Sequence, residues 1–364
     1  MIRIAHVITD TNFGGAGRVL LNVLKNFDRG RFEMTVILPH GSVLEPEVRL
    51  LGCDVISAKK IVDRSFSVPA IFELRRILKG LQPDIVHTHA CMSARIAARM
   101  SLTGCRVIFT RHCAFDVAAY KKRFPYKLFS GFVNNYFSDR VIAVSPVSRD
   151  VLIDIGTDPD KINVVMNGSD PVGSLPEQER LSIRGLYGIG RNDFVCVMAA
   201  RLEKVKGHKY AIEAFKALPN DVKLVIAGEG SEDEYLRTAA NGMDNCIFTG
   251  FVKEIEKIEN IADLMLNLSD TEATCAALLE GMSLGIPAVV SNFGGNPYVV
   301  RHGINGFVLP DRSPESIKEA IMELKGAPER YKEMSENCVS IFNEQFTAQA
   351  MTLAVEEVYM RLVL

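Results

Sequence analysis

The sequence predicts an α/β protein made of two doubly wound parallel-sheet domains. Three observations carry this expectation. Short β-branched runs alternate with helical patterns along the whole chain, as a parallel sheet with crossover helices requires. The 364 residues exceed one ordinary core and suit two domains of about 100–200 residues each. A break rich in Gly, Pro and Ser, NGSDPVGSLPEQER, separates two series of such runs. The composition, 48% hydrophobic and 24% charged, is that of a globular protein.

In chain order, IRIAHVI, EMTVILP, DIVHTHA, CRVIFTR, DRVIAVS and INVVMNG read as buried strands. Helices are expected between them at RVLLNVLKNF, PAIFELRRILKGL and Tyr126 to Phe137. A second series follows: DFVCVMAA, VKLVIAGEG, NCIFTGFV, ADLMLNLS and GIPAVVSN, with helices at Tyr210–Leu218, Ala276–Leu284 and Pro314–Leu324. The expected organisation is a first domain over residues 1–170, a linker over 171–190 and a second domain over 191–345. Residues 346–364 read as an amphipathic helix packing back toward the first domain. Two open sheets in one chain leave a cleft at the carboxyl ends of their strands, so the loops there are where chemistry is sought.

No apolar run approaches the roughly 18–20 residues that cross a bilayer. The start, MIRIAHVITD, alternates like a strand and has no small-residue cleavage site, so no secretion signal is expected. The eight cysteines are scattered, form no C-x-x-C and lie mostly in apolar stretches. Buried free thiols in a reducing cytoplasm follow. The net charge of −2 hides an asymmetry: residues 1–170 hold 23 basic and 16 acidic side chains, residues 171–364 hold 19 and 28. A basic first half points to an anionic surface as partner; nothing points to a nucleic acid.

The first βα loop, TDTNFGGAGRVL, carries Gly14, Gly15 and Gly17 before a helix, a place for a phosphate or simply a tight turn. It fails the dinucleotide pattern G-x-G-x-x-G, because Leu20 stands where the third glycine belongs. In the second half, Arg201 and Lys206 rise from the loop after DFVCVMAA, two cations suited to a diphosphate and to charge developing on it. Glu272 and Glu280 form E-x7-E across the start of a helix expected near Thr274. The free N–H groups of Thr274, Cys275 and Ala276 suit a phosphate, and the carboxylates suit vicinal hydroxyls on either side. His87 and His89 project to one side of a strand, but no third metal ligand of suitable spacing follows. No G-x-S-x-G elbow supports Ser-His-Asp chemistry.

Together these residues resemble glycosyltransferase family 4, the large retaining family of the GT-B fold, in which two Rossmann-like domains face a central cleft. The resemblance runs through GGAGR, PDIVHTH, RVIAVSPVSRD, INVVMNGSD, RLEKVKG, VIAGEG, IFTGFV, the E-x7-E element and GINGFVLP, in order along the chain. It implies a nucleotide-sugar donor and no metal or other cofactor. It also implies that Gly15, with Gly17 in the same loop, meets the donor's diphosphate and that Arg201 and Lys206 bind it. Glu272 would read the donor sugar and Glu280 the ribose. His112 would contact the transferred sugar, and the backbone near Phe251 and Val252 would flank the base. The chain departs from the family pattern at Tyr298, where a glutamate is usual.

The stretch YKKRFPYKLFSGFVNNYF mixes aromatics with Lys121, Lys122, Arg123 and Lys127, a composition suited to an anionic leaflet. Phe129, Phe132, Val133 and Tyr136 recur at helical spacing. They are expected in the core, leaving Lys121 to Lys127 as the docking face. The whole reading is a retaining hexosyltransferase taking a nucleotide sugar, a UDP-sugar in preference, to a lipid-linked or cell-surface glycan acceptor. It would work in the cytoplasm at the inner face of a membrane. A GT-B sugar-nucleotide epimerase and a non-catalytic sugar-nucleotide-binding protein are the alternatives.

Overall fold

The computed structural model describes residues 1–10, 14–115 and 117–363. Thr11, Asn12 and Phe13 of the first glycine-rich loop lie outside the described residues. The chain divides into two compact units, one of Met1–Gly168 with Ala348–Leu364, the other of Ser169–Thr347.

The first unit holds seven strands: β1 (Ile2–Ile8), β2 (Phe32–Pro39), β3 (Asp54–Ala58), β4 (Ile85–His89), β5 (Arg106–Arg111), β6 (Arg140–Ala143) and β7 (Ile162–Val164). They pair in parallel in the order β3-β2-β1-β4-β5-β6-β7. The second unit holds β8 (Phe194–Ala199), β9 (Val222–Ala227), β10 (Cys246–Gly250), β11 (Leu264–Asn267), β12 (Ala288–Ser291) and β13 (Gly306–Leu309). Their order is β10-β9-β8-β11-β12-β13, again parallel. Each sheet is doubly wound. Its order reverses between β1 and β4 in the first and between β8 and β11 in the second, and such reversal points are where ligands sit on open α/β sheets.

Two strands were not expected from the sequence, β3 and β13, and both are edge strands. DVISA has one fully buried residue of five, so it lacks the continuous apolar run that marks a central strand. The expected linker also differs. Residues 171–190 hold the helix Glu177–Leu186 and belong to the second unit. Gly and Pro mark the loss of regular structure there, but two arginines anchor the stretch. Arg184 donates to the Ile261 carbonyl and, at 2.8 Å, to Asp263, while Arg180 Nε donates to the Asn260 carbonyl at 2.6 Å.

The helix Ala348–Val363 closes the first unit. It packs Met351, Val355, Val358 and Tyr359 against the core formed by β1, β2 and β4 to β6. Glu356 accepts a 2.7 Å bond from the Asp28 N–H, tying this helix to the loop before β2.

One helix reverses the expected amphipathicity. Tyr126–Phe137 buries only Gly131 and Asn134, on its small and polar side. Asn134 accepts from Arg95 at 3.1 Å and donates to Thr157 at 3.0 Å. A Cβ on Gly131 would stand 2.3 Å from the Gly156 carbonyl oxygen, so glycine is what lets the helix seat there. The aromatics expected in the core point the other way: Phe129 is 68% and Phe132 60% exposed, and Tyr136 is exposed as well. Helical spacing identified a stripe correctly but could not say that the opposite side was the one covered.

Candidate active site

In the second unit, the loops after β8 and β11 meet at the reversal point. After β8 the chain makes a short turn over Lys204–Lys206 and leaves it at Gly207, whose φ is +78°. A Cβ on Gly207 would lie 2.2 Å from the Leu268 carbonyl oxygen. Only glycine lets this loop close onto the end of β11. The Asp270 N–H then donates to the Val205 carbonyl at 2.8 Å, joining the two loops. The result is a lysine–glutamate pair: Lys206 Nζ donates to Glu272 Oε1 at 2.5 Å, and Ser269 Oγ donates to the same oxygen at 3.1 Å. The side chains are 19% and 12% exposed. A mostly covered cation and carboxylate at a strand end hold each other in fixed positions.

The glycines of SNFGGNP hold the loop that carries Glu272. A Cβ on Gly294 would lie 2.4 Å from the Glu272 carbonyl oxygen, and one on Gly295 would lie 1.8 Å from that of Ala273. The Gly295 N–H donates to the Glu272 carbonyl at 2.7 Å, and Ser291 Oγ donates to the Ser269 carbonyl at 2.6 Å. The following helix runs Ala276–Ser283 with Cys275 as its cap. It begins at Ala276, the first residue of the expected helix Ala276–Leu284 and two residues past the start near Thr274 expected for the phosphate site, so its first turn starts at Ala276 and Thr274 lies before the cap. Burial, with Glu272 beside it, pushes the Cys275 thiol up to about 12, so it stays protonated. Glu280 lies half-buried in this helix.

The other expected residues of this unit are placed separately. Arg201 donates to Glu203 at 2.6 Å with a side chain 74% exposed, and it does not join the Lys206–Glu272 pair. Its loop is backed by Gly228 and Gly230, where a Cβ would meet the Ala200 and Leu202 carbonyl oxygens at 2.1 and 2.3 Å. Phe251 is exposed, with its N–H on Glu229 Oε1 at 3.3 Å, and Val252 is half-buried. Tyr298 lies exposed in the short helix Asn296–Val299.

Sequence reasoning missed two residues. Arg312 pairs with Asp270 and bonds the Leu268 carbonyl at 3.2 Å, with its guanidinium over Tyr210 at 4.3 Å and Phe293 at 4.7 Å. A lone cation just after β13, in DRSPE, was the available signal. His208 is buried beside Lys206, and among the described residues neither ring nitrogen has a hydrogen-bond partner.

In the first unit, Gly15 opens the helix Gly15–Asn26, and a Cβ there would meet nothing within 4 Å. Gly17 is different: a Cβ would stand 3.0 Å from the buried Leu44 side chain, so packing accounts for this glycine. His112 follows β5, and its Nε2 meets His89 Nδ1 at 2.8 Å. The expectation that His87 and His89 lack a third partner is corrected. His6 stands on β1 directly beside His87 on β4, a neighbour across the sheet that no sequence spacing reveals. One nitrogen of each of the three lies within 4.8 Å of the others, a separation that a metal ion can span. His87, however, already spends its nitrogens on Tyr359 and Thr110 hydroxyls, both at 2.6 Å, and His6 bonds His89 at 3.1 Å.

Burial lowers these rings below the ordinary imidazole range: His6 to about 3, His112 to about 4, and His208, also beside Lys206, to about 4. An unfolded histidine takes its proton near pH 6.5. Between that pH and the folded values the unfolded chain binds more protons, so stability is complete above pH 6.5 and is lost as the pH falls toward 4. His6 and His208 each steepen this loss by on the order of 1 kcal/mol per pH unit near pH 5. Urea midpoints measured from pH 7 to 4.5 test this, and a flat profile would show that the rings are not held neutral.

A family model described as Glycosyltransferase Family 4 matches residues 13–172, and one described as Glycosyl transferases group 1 matches residues 180–339. The chain is a family 4 glycosyltransferase. Its fold is GT-B: Anabaena HepE, solved in complex with UDP, aligns with a TM-score of 0.85 at 19% identity, covering 99% of this chain and 100% of that one. WaaG, a glycosyltransferase involved in lipopolysaccharide biosynthesis, aligns at 0.66 and 15% identity over 99% of both chains. Among curated relatives, the Escherichia coli UDP-Gal:alpha-D-GlcNAc-diphosphoundecaprenol alpha-1,3-galactosyltransferase is 27% identical over 386 residues, covering 100% of this glycosyltransferase and 97% of the relative. The GDP-mannose-dependent alpha-mannosyltransferase of Corynebacterium glutamicum is 25% identical over 317 residues, 82% of this chain and 74% of the relative. No described helix of this glycosyltransferase is long and apolar enough to cross a membrane.

Proposed function

We propose that this glycosyltransferase moves a hexosyl group from a UDP-sugar to a lipid-linked glycan acceptor, with retention of configuration. The Lys206–Glu272 pair carries the reading: a cation and a carboxylate held 2.5 Å apart at the reversal point of the second sheet. Lys206 would neutralise the departing diphosphate, with Arg201 and the first-turn N–H groups from Ala276 adding donors. Glu272 would hold the sugar hydroxyls and Glu280 the ribose. Gly15, open to its surroundings, and His112 keep the diphosphate and sugar roles that the family likeness gives them. The bond from the anomeric carbon to the phosphate oxygen breaks as the bond to the acceptor oxygen forms on the same face. The acceptor's proton passes to that phosphate oxygen. The positive charge this needs comes from side chains and backbone, so the reading includes no metal.

The preference for uridine and for a diphospholipid acceptor is supported by the full-length relative named for both. A thermal-shift series against UDP, GDP and ADP tests the base. UDP at about 100 Kd should stabilise by about 2.7 kcal/mol, with the others giving little. A shift with GDP alone would overturn the uridine assignment. Release of UDP from a UDP-sugar without acceptor would favour the epimerase reading.

We place the acceptor side of this reaction on an anionic membrane face. The outward apolar side chains Phe124, Leu128, Phe129 and Phe132 lie beside exposed Lys121, Arg123 and Lys127, whereas Lys122 is engaged with Asp154 at 2.9 Å. Apolar side chains beside cations match a leaflet, each cation contributing about 1 kcal/mol near an anionic surface. Co-sedimentation should occur with vesicles containing phosphatidylglycerol and be lost in the Phe129→Ser, Phe132→Ser variant. Equal recovery of both proteins, or binding independent of lipid charge, would overturn this placement.

A further inference from the structure

The buried histidines of the first unit connect end to end. Thr110 Oγ1 meets His87 Nε2 at 2.6 Å, and His87 Nδ1 meets the Tyr359 hydroxyl at 2.6 Å. That hydroxyl meets His6 Nε2 at 3.5 Å, the longest step. His6 Nδ1 meets His89 Nε2 at 3.1 Å, and His89 Nδ1 meets His112 Nε2 at 2.8 Å. The sheet explains the assembly. His6 and His87 are paired across β1 and β4, His89 and Thr110 across β4 and β5, and residues two apart on a strand share a face. The last helix covers that face and delivers Tyr359, which is fully buried.

A neutral imidazole has one donor and one acceptor nitrogen, so each link dictates the next. Among the described residues, the Thr110 hydroxyl has only His87 to bond, and it is buried. Either direction leaves one proton unpaired among the described residues: on Thr110, buried within β5, if Thr110 accepts, or on half-buried His112 beyond the strand end if Thr110 donates, and the second is the cheaper place, so Thr110 donates. His87 then carries its proton on Nδ1 and gives it to the Tyr359 oxygen. The Tyr359 proton turns to His6 Nε2. His6 donates from Nδ1 to His89, and His89 from Nδ1 to His112 Nε2. The chain ends at Nδ1 of His112, which is covered and has no partner among the described residues.

We propose that these six side chains form one single-file hydrogen-bond chain that holds His112 as the neutral Nδ1–H tautomer. Thr110 sets its direction, and Tyr359, from the last helix, is its central positioning residue. His112 therefore offers a fixed N–H donor and is not a base. Its importance for turnover rests on the transferase reading, whereas the tautomer does not.

The test uses the full-length protein with 15N-labelled histidine. The chain has seven histidines, so long-range 1H–15N spectra can be assigned with single His→Gln variants. Protonated Nδ1 is expected at His87, His6, His89 and His112. Tyr359→Phe removes the hydroxyl that supplies His6, and Thr110→Val removes the starting donor. Both should shift His112 toward the Nε2–H form and lower kcat about tenfold, with KM for the nucleotide sugar within about twofold. Nε2–H or a charged ring on His112 of the unaltered protein would overturn the proposal. So would stoichiometric metal in elemental analysis, lost in His87→Gln. Unchanged tautomers and kcat in both variants would overturn the positioning roles. If no transfer activity is found with any donor, the spectra alone decide the chain, and the failure belongs to the transferase reading.

Discussion

Replacing Lys206 with alanine is expected to lower kcat by about 10²–10³-fold while leaving KM for the nucleotide sugar within a few-fold, the pattern of a donor that acts mainly on developing charge. The ground-state sugar nucleotide spreads its negative charge over two phosphates, and other donors share it. In the transition state, charge concentrates on the departing oxygen, where a fixed ammonium contributes most. The structure adds a complication that the experiment must separate. Glu272 is 12% exposed and its Oε1 is bonded to Lys206, so truncating the lysine strands a covered carboxylate. Lys206→Ala should therefore also lower thermal stability. The double variant Lys206→Ala, Glu272→Gln removes the stranded charge, so it should regain stability without regaining kcat. Equal losses in kcat and donor affinity for Lys206→Ala would count against its role at the leaving group. Recovery of kcat in the double variant would show that the damage came from Glu272 alone.

Substituting Gly295 with alanine should be the most damaging single methyl added near the site. Its Cβ would fall 1.8 Å from the Ala273 carbonyl oxygen, and the Gly295 N–H already bonds the Glu272 carbonyl at 2.7 Å. Backbone faces backbone there, so no side chain can rotate away. The loop carrying Glu272 must move. Overpacking of this kind costs about 1–3 kcal/mol, and a backbone clash belongs at the upper end. We expect a loss of about 3 kcal/mol in urea unfolding, together with turnover reduced to that of Glu272→Gln. Gly15→Ala is the control, because its Cβ meets nothing within 4 Å and should leave stability unchanged. If Gly295→Ala matched the control, the glycine pair would not be what holds Glu272.

The pattern of apolar runs was enough to foresee most of the central strands and several helices. The helix Tyr126–Phe137 begins and ends where the sequence places it, and Pro314–Gly326 starts at the expected Pro314 and runs two residues past the expected Leu324. The edge strand β3 escaped because a strand covered on one side need not be continuously apolar, whereas β13 is apolar and mostly buried but only four residues long. For the site, Lys206 and Glu272 were legible as types placed after strands. Their 2.5 Å pairing was not, because it depends on Gly207 and Gly295 admitting two loops to the same point. The surroundings of Arg312 were illegible for a related reason: its partners Asp270, Tyr210 and Phe293 come from separate loops and helices, so the lone cation in DRSPE did not reveal them.

The sequence by itself determined the alternation of strand and helix, the fold class and the family, since these rest on local periodicity and on motifs of consecutive residues. Tertiary structure decided which side of a helix is covered and which polar groups meet. The aromatic stripe of Tyr126–Phe137 has the spacing of a buried face. It stands outward because Gly131 and Asn134 make the closer contact on the other side. His6 and His87 lie 81 positions apart in sequence and pair directly because β1 and β4 are neighbours at the reversal point of the sheet. Spacing along a chain fixes the direction of a side chain relative to its own element, and only the packing of elements fixes what it faces.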